Sequence, residues 1–167
     1  MINIAIIGAG KIAENFHIPA WKKIPNARVI AIIDTNIKKA KKLSKKFNIK
    51  LYDRNIYKIL EKNLINAVDI CASNNTHEKL ILESLNNKLH VLCEKPFVLN
   101  YRLISKIEKI IKKNKLVCIS AQHQRFRISS IILKKLITNK KLGKIYSIKI
   151  NSLYNKSDNL KNKNYLK

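Results

Sequence analysis

The sequence predicts an α/β fold: a doubly wound parallel sheet, followed by the truncated start of an α+β second domain. Three observations predict it. Short apolar runs recur along the first two thirds of the chain, almost unbroken by polar residues. The segments between them carry apolar residues at helical spacing. The first run ends directly in a glycine turn. Strands buried on both faces read as continuous apolar runs, as in a parallel sheet covered by helices. Strand and helix in alternation require crossover connections, which are right-handed and place helices on both faces.

The elements follow in order. Asn3 to Ile7, Ala27 to Ile33, Ala67 to Ala72, His90 to Cys93 and Leu116 to Ala121 read as strands, with a further short one near Leu51 and Tyr52. From Asn36 to Phe47, the residues Ile37, Ala40, Leu43 and Phe47 share one helical face, and the lysines take the other. Thr76 to Asn86 and Asn100 to Lys113 repeat the pattern. Arg127 to Thr138 is a further helical stretch, with a helix end placed at Leu142 ahead of Gly143. Lys144 to Ile150 alternates apolar and polar, as a strand with one dry face does. Asn151 to Lys167 lacks periodicity and reads as a frayed tail. These elements divide into residues 1–121, the sheet domain, and residues 122–167, an incomplete second domain.

Of 167 residues, 46% are hydrophobic, enough for one buried core. The net charge is +25, but three residue types dominate the composition: 30 Lys, 29 Ile and 20 Asn, with only 5 Arg. All three use AT-rich codons, which assigns much of the basicity to drift at tolerant surface positions. Non-specific phosphate binding at low salt is expected from such a charge. Aromatics are only 7% and no recognition motif appears, so no specific nucleic-acid partner is expected. No apolar stretch reaches the ~18 residues of a membrane span, and Ile2 to Ile7 is too short for a signal peptide. The expected location is cytoplasmic. Cys71, Cys93 and Cys118 each sit in an apolar run and read as buried reduced thiols, with no metal-ligand spacing between them.

The first strand runs into Gly8-Ala9-Gly10-Lys11-Ile12-Ala13, a G-x-G-x-x-A turn opening a helix. Gly8 permits the tight turn, Gly10 lets a pyrophosphate approach the backbone, and Ala13 lets helix pack on strand. The free N–H groups of the helix start would face the phosphates. Asp34 ends the second strand and is placed to accept ribose hydroxyls of NAD, while its charge would repel a 2′-phosphate. Lys38 and Lys39 nearby keep NADP open. The expected cofactor is therefore NAD, with NADP as the alternative.

Two further strand ends carry chemistry. Val68 to His77 closes one strand and opens a helix, and His90-Val91-Leu92-Cys93-Glu94-Lys95-Pro96 closes the next. With the glycine turn, with Gln122 to Phe126 and with Lys141 to Ile145, these segments resemble the glucose–fructose oxidoreductase / inositol dehydrogenase / rhizopine catabolism (Gfo/Idh/MocA) family. The Glu94-Lys95-Pro96 step is the most diagnostic mark. The resemblance runs from residue 2 to about 150. It implies a Rossmann domain of an NAD(P)-dependent oxidoreductase acting on a sugar, cyclitol or related polyhydroxylated substrate. It places Gly8, Gly10, Lys11 and Ile12 at the pyrophosphate and Asp34 at the adenosine ribose. It lays Ser73, Asn74 and His77 along the cofactor. Glu94 becomes a partner of the nicotinamide ribose, Lys95 the active-site lysine, and Arg125 a further contact at the nicotinamide end. The Lys95–Pro96 bond is implied to be cis. Lys95 serves either as the base for the substrate hydroxyl, which requires burial to make the amine available, or as a charged donor that orients it.

The sequence departs from the family in three places. Ser73 stands where Pro is frequent. Lys88-Leu89 stand where Gly-Lys is usual, and losing that glycine removes an easy left-handed helix ending, so strain is expected there. The family also continues for about as many residues again, building an open sheet that walls the substrate site, mediates oligomerisation and carries an Asp and a His on one helix. None of His17, His77, His90 and His123 stands in the place of that histidine; His17 reads as structural. Weak or absent turnover by this chain alone is therefore expected, as are exposed apolar surface on residues 128–150 and an oligomeric or complementing partner to cover it. A non-catalytic nucleotide-binding remnant is the alternative, and a basic nucleic-acid-binding protein a more distant one.

Overall fold

Each apolar run forms a strand. The computed structural model describes residues 1–61, 64–151 and 153, and in it β1 (Ile2–Ile7), β2 (Ala27–Ile33), β3 (Leu51–Asp53), β4 (Ala67–Ile70), β5 (His90–Cys93) and β6 (Cys118–Ser120) form one sheet. The order across it is β3-β2-β1-β4-β5-β6, and every pairing is parallel. The chain winds outward in one direction from β1, then returns to start β4 on its other side. That reversal leaves the tips of β1 and β4 adjacent with their connections leading to opposite faces, the geometry that opens a crevice.

Side-chain alternation along β1 divides the core in two. Ile4 and Ile6, with Ile32 of β2, pack beneath Ala13, Ile18, Ala40 and Leu43. Ala5 and Ile7, with Ile33, Val68, Ile70 and Val91, pack beneath Ile59, Ile81, Leu85 and Ile107. The first set of covering residues belongs to a π-helical turn (Ala13–His17) that runs into α1 (Ile18–Trp21), and to α2 (Ile37–Phe47). The second belongs to α3 (Tyr57–Leu60), α4 (His77–Asn86) and α5 (Leu103–Asn114). Each fully buried isoleucine contributes roughly 1.5–3 kcal/mol by leaving water, so a sheet dry on both faces is stable despite the charge of its lysine-covered exterior.

Where boundaries shift from the sequence reading, local hydrogen bonds explain the shift. Asn36 caps α2 instead of joining it, its side chain accepting from the N–H groups of Lys38 and Lys39. Asn100 plays a similar part before α5: its Oδ1 accepts from the Arg102 N–H at 3.0 Å. Leu116 is drawn out of the last strand because its N–H closes α5 on the Ile111 carbonyl at 3.0 Å. The single turn of α3 and the π turn escape the periodicity, being too short or too irregular to show it.

The described chain divides into two compact units, Met1–His123 and Gln124–Lys167. The second contains α6 (Ile128–Thr138), which buries no residue. Its helix ends at Thr138, not Leu142: Lys140 takes a left-handed φ of 54°, which breaks the helical course, and Gly143 takes one of 60°. Lys144 to Ile150 is irregular and not a strand. Its alternating pattern is right for a strand, but no neighbour among the described residues offers it a hydrogen-bonding edge. The tail expected from Asn151 onward lies, apart from residues 151 and 153, outside the described residues. No helix among the described residues is long and apolar enough to cross a membrane.

Candidate functional site

Register places the candidate residues. Ile7 pairs with Ile33 of β2 and with Ile70 of β4, and Ile70 pairs with Cys93 of β5. The next residue on each strand, Gly8, Asp34, Cys71 and Glu94, therefore lies on one carboxyl-terminal edge. The hydrogen-bond ladder continues through that row: Gly8 N–H to Ile33 O at 2.7 Å, Cys71 N–H to Ile7 O at 2.7 Å, and Glu94 N–H to Ile70 O at 2.9 Å. The edge is thus held by backbone bonds, not by loop packing.

The two glycines of the turn differ in kind. Gly8 has φ of +105°, and a Cβ there would lie 2.6 Å from the Cys71 carbonyl carbon and oxygen. Its backbone needs glycine twice over, for conformation and for room. A Cβ on Gly10 would meet nothing within 4 Å, so the fold itself does not demand a glycine there. The helix that follows begins at Lys11, and the N–H groups of its first turn have no carbonyl one turn earlier to bond. A bare glycine backbone beside unpaired N–H groups suits a phosphate. Lys11 and Ile12 are both exposed at this start. Asp34 braces the turn from β2: its Oδ2 accepts from the Ala9 N–H and its Oδ1 from the Asn36 N–H, each at 2.8 Å. Just beyond it, Thr35, Asn36, Ile37, Lys38 and Arg54 line an open depression. Arg54 is a cation that the sequence did not connect with Asp34, because it arrives from the end of β3. These residues fit a dinucleotide.

At the β4 and β5 tips the structure assembles a network that the sequence did not show. Asp69 is fully buried in β4. Its Oδ2 accepts from Trp21 Nε1 at 2.7 Å and meets His17 Nδ1 at 2.8 Å. His17 Nε2 lies 3.0 Å from Glu94 Oε1, and Glu94 Oε2 accepts from the Lys95 N–H at 3.0 Å. Burial pushes the His17 imidazole down, but hydrogen bonds and charge from Asp69, then Glu94, outweigh it and hold the group above its ordinary value. The Cys71 thiol also points at Asp69, 3.7 Å from Oδ1. His17, Asp69 and Cys71 bring ligand-type atoms within 4.8 Å of one another, but those short distances are hydrogen bonds converging on one carboxylate. Burial pushes the Cys71 thiol up, and raises those of Cys93 and Cys118 to about 12, so all three stay neutral.

His77, expected along the cofactor, presents no surface to a ligand. It is fully buried, with Nδ1 2.7 Å from the Pro96 carbonyl and Nε2 3.1 Å from that of Ala72. It ties the β5 loop to the β4 loop. Ser73 and Asn74, at the turn just before it, are exposed. Lys95 is exposed, and the Lys95–Pro96 bond is cis. At that exposure the burial required of a lysine base is not supplied by its own unit. Arg125 is exposed in a 3-10 turn (His123–Phe126) and belongs to the second unit, apart from the other ten candidates. Glu78, which no sequence motif singles out, accepts at Oε1 from the N–H groups of Leu99 and Asn100 and anchors the loop after Pro96.

Comparison with known proteins agrees with this geometry. The chain is 28% identical over 151 residues to the myo-inositol 2-dehydrogenase of Thermotoga maritima, covering 90% of this chain and 45% of that protein. It is 30% identical over 165 residues to the glucose-6-phosphate 3-dehydrogenase of Bacillus subtilis, covering 99% of this chain and 45% of the relative. The crystal structure of a probable dehydrogenase from Thermotoga maritima superposes with a TM-score of 0.78 at 28% identity, covering 86% of this chain and 43% of that one. The chain thus spans less than half the length of these relatives. Residues 2–122 match the family described as an oxidoreductase family with an NAD-binding Rossmann fold, a span that takes in the glycine turn, the β2 carboxylate and the cis Lys95–Pro96 step. This chain belongs to that family, Gfo/Idh/MocA.

Proposed function

We propose that this chain supplies the cofactor half of an oxidoreductase that takes NAD(H) along the carboxyl edge of its sheet and acts on the hydroxyl or carbonyl of a polyhydroxylated substrate such as a sugar or cyclitol. One observation carries the reading: the register that sets Gly8, Asp34 and Glu94 in a row across the reversal point of the sheet. Gly8, Gly10, Lys11 and Ile12 receive the pyrophosphate, with Asp34 holding the adenosine ribose. Ser73 and Asn74 flank the middle of the cofactor, and His77 fixes their loop from beneath. Glu94 accepts from the nicotinamide ribose. When bound, the nicotinamide exchanges a hydride with the substrate carbon. Lys95 hydrogen-bonds the substrate oxygen and manages its proton, and the family resemblance assigns Arg125 a further contact with the nicotinamide end.

The relatives named above act on inositol and on glucose 6-phosphate, which sets the substrate class to be tried. Lys95 is exposed, so turnover by residues 1–167 on their own is expected to be low, and a covering partner or second copy is expected to raise it. A second reading, nucleotide binding without turnover, draws on the exposure of Lys95. A fluorescence titration with NADH tests the shared part, since both readings require saturable binding. Asp34→Ala is expected to weaken NADH about tenfold, the loss of ~1.4 kcal/mol, and to narrow the preference over NADPH, because Lys38 and Arg54 remain. Lys95→Ala is expected to leave NADH affinity unchanged and to abolish any oxidation of inositol or glucose 6-phosphate that the wild type shows. Unchanged turnover in that variant would remove Lys95 from its role.

A further inference from the structure

We propose that His17 is a positioning residue that shares one proton with Glu94 and so keeps the Glu94 carboxyl turned to the cofactor edge as a hydrogen-bond acceptor. The inference rests on the assignment of Glu94 to the nicotinamide ribose. Nothing in the sequence spacing connects the two residues; the fold does. The Ile18 N–H bonds the Ala13 carbonyl, an i to i+5 step that makes the helix start a π turn. Such turns add a residue to the helical repeat and recur at functional sites. His17 and Trp21, four apart, then lie on one face above β4.

Hydrogen-bond inventory fixes the protons. A carboxylate only accepts, so His17 Nδ1, 2.8 Å from the buried Asp69 Oδ2, carries a hydrogen. Trp21 donates to the same oxygen and locks it in place. Nε2 then faces Glu94 Oε1 at 3.0 Å, and a bond on that line needs one proton, held by either atom. With His17 protonated, Glu94 is an anion whose Oε2 is held by the Lys95 N–H and whose Oε1 rests on the imidazolium. A deprotonated His17 would set the Nε2 lone pair against a carboxylate, and Glu94 would have to turn away or take up a proton. Turning away removes the acceptor, and a neutral carboxyl is a weaker one than the carboxylate. The groups facing His17 are Asp69 and Cys71 from β4, Glu94 from the β5 end, and the neutral Trp21 on its own helix. Two carboxylates on one imidazole favour the cation, consistent with the raised value of His17.

The test uses the full chain. In two-dimensional ¹⁵N NMR, His17 is expected to keep hydrogen on Nδ1 at every pH and to lose the Nε2 hydrogen with a midpoint above the ordinary 6.5. Glu94→Gln should lower that midpoint. NADH titrations from about pH 6 to about pH 9 should show wild-type affinity falling about tenfold across the midpoint, and a flat profile in Glu94→Gln and in His17→Gln. An ordinary midpoint, a hydrogen on Nε2 alone, or a midpoint indifferent to Glu94→Gln would overturn the shared proton. The spectra of Glu94→Gln decide the matter even if His17→Gln does not fold. Raised, Glu94-sensitive titration with no NADH binding at any pH would instead overturn the cofactor reading and with it the positioning role.

Discussion

At Gly8 the sequence has no substitute. The +105° φ and the 2.6 Å approach of a would-be Cβ to the Cys71 backbone leave nowhere for a methyl group, because neither neighbour is a flexible side chain. Gly8→Ala is expected to cost at least ~3 kcal/mol in urea unfolding, through strain and a forced separation of β1 from the β4 tip. Gly10→Ala makes the opposite prediction. With nothing within 4 Å, stability should change by no more than ~0.5 kcal/mol, while NADH affinity falls. Those two outcomes together would assign Gly8 to the fold and Gly10 to the ligand. His17 adds a pH dependence at the same scale. Its folded value is raised, so the folded state holds the proton more tightly than the unfolded chain. The resulting stabilisation is complete below about 6.5 and disappears as pH rises through the raised value. Unfolding midpoints of the wild type should decline over that window, and His17→Gln should remove the decline.

At the scale of elements, the chain is short of glycine where helices end. It contains 3 Gly, and none of them follows α2, α4 or α5. Those helices nevertheless finish with a left-handed residue: Asn48 at φ 55°, Lys88 at 58° and Lys115 at 53°. At the first two the closing bonds are alike, Ile49 N–H to Ser44 O at 2.8 Å and Leu89 N–H to Ser84 O at 3.0 Å. In both residue types the Cβ crowds the following carbonyl, but the short polar side chain of Asn can offset this by local hydrogen bonding and that of Lys cannot, so the lysines carry the strain. The strain expected from a missing glycine at position 88 is therefore present, and the helix ending survives because Leu89 is needed in the core. Lys88→Gly is expected to stabilise the protein by about 1 kcal/mol, a rise of a few degrees in melting temperature by calorimetry.

At the scale of the whole molecule, charge and apolar surface oppose each other. A net charge of +25 keeps copies apart at low salt. In α6, Ile128, Ile131 and Ile132 are each more than half exposed, and Ile148 and Ile150 follow in the same unit. A patch of that composition associates with another apolar surface when the charge is screened. Light scattering should show self-association that grows with salt and falls in the double variant Ile128→Lys, Ile132→Lys. Salt-independent monomers would show that α6 is not the adhesive surface.

The amino-acid order was sufficient for most of what rests on local patterning in residues 1–121. Unbroken apolar runs marked the strands, period-3.6 lysine faces marked α2 and α5, and a glycine turn with Asp34 at the next strand end marked the carboxyl edge of the sheet, since each depends on residues close in the chain. Tertiary structure decided what depends on register and on contact between distant segments. His77 proved a buried brace because the segment after β5 brings the Pro96 carbonyl to its ring, and Lys95 is exposed because its own unit offers no cover. Lys144 to Ile150 has the alternation of a strand but not the neighbour that would make it one. His17 meets Asp69 and Glu94 only because an odd helical turn and two parallel strands bring residues 52 and 77 positions away onto its ring. Periodicity reports which face of an element is dry; it holds no information about which side chain of another element waits there.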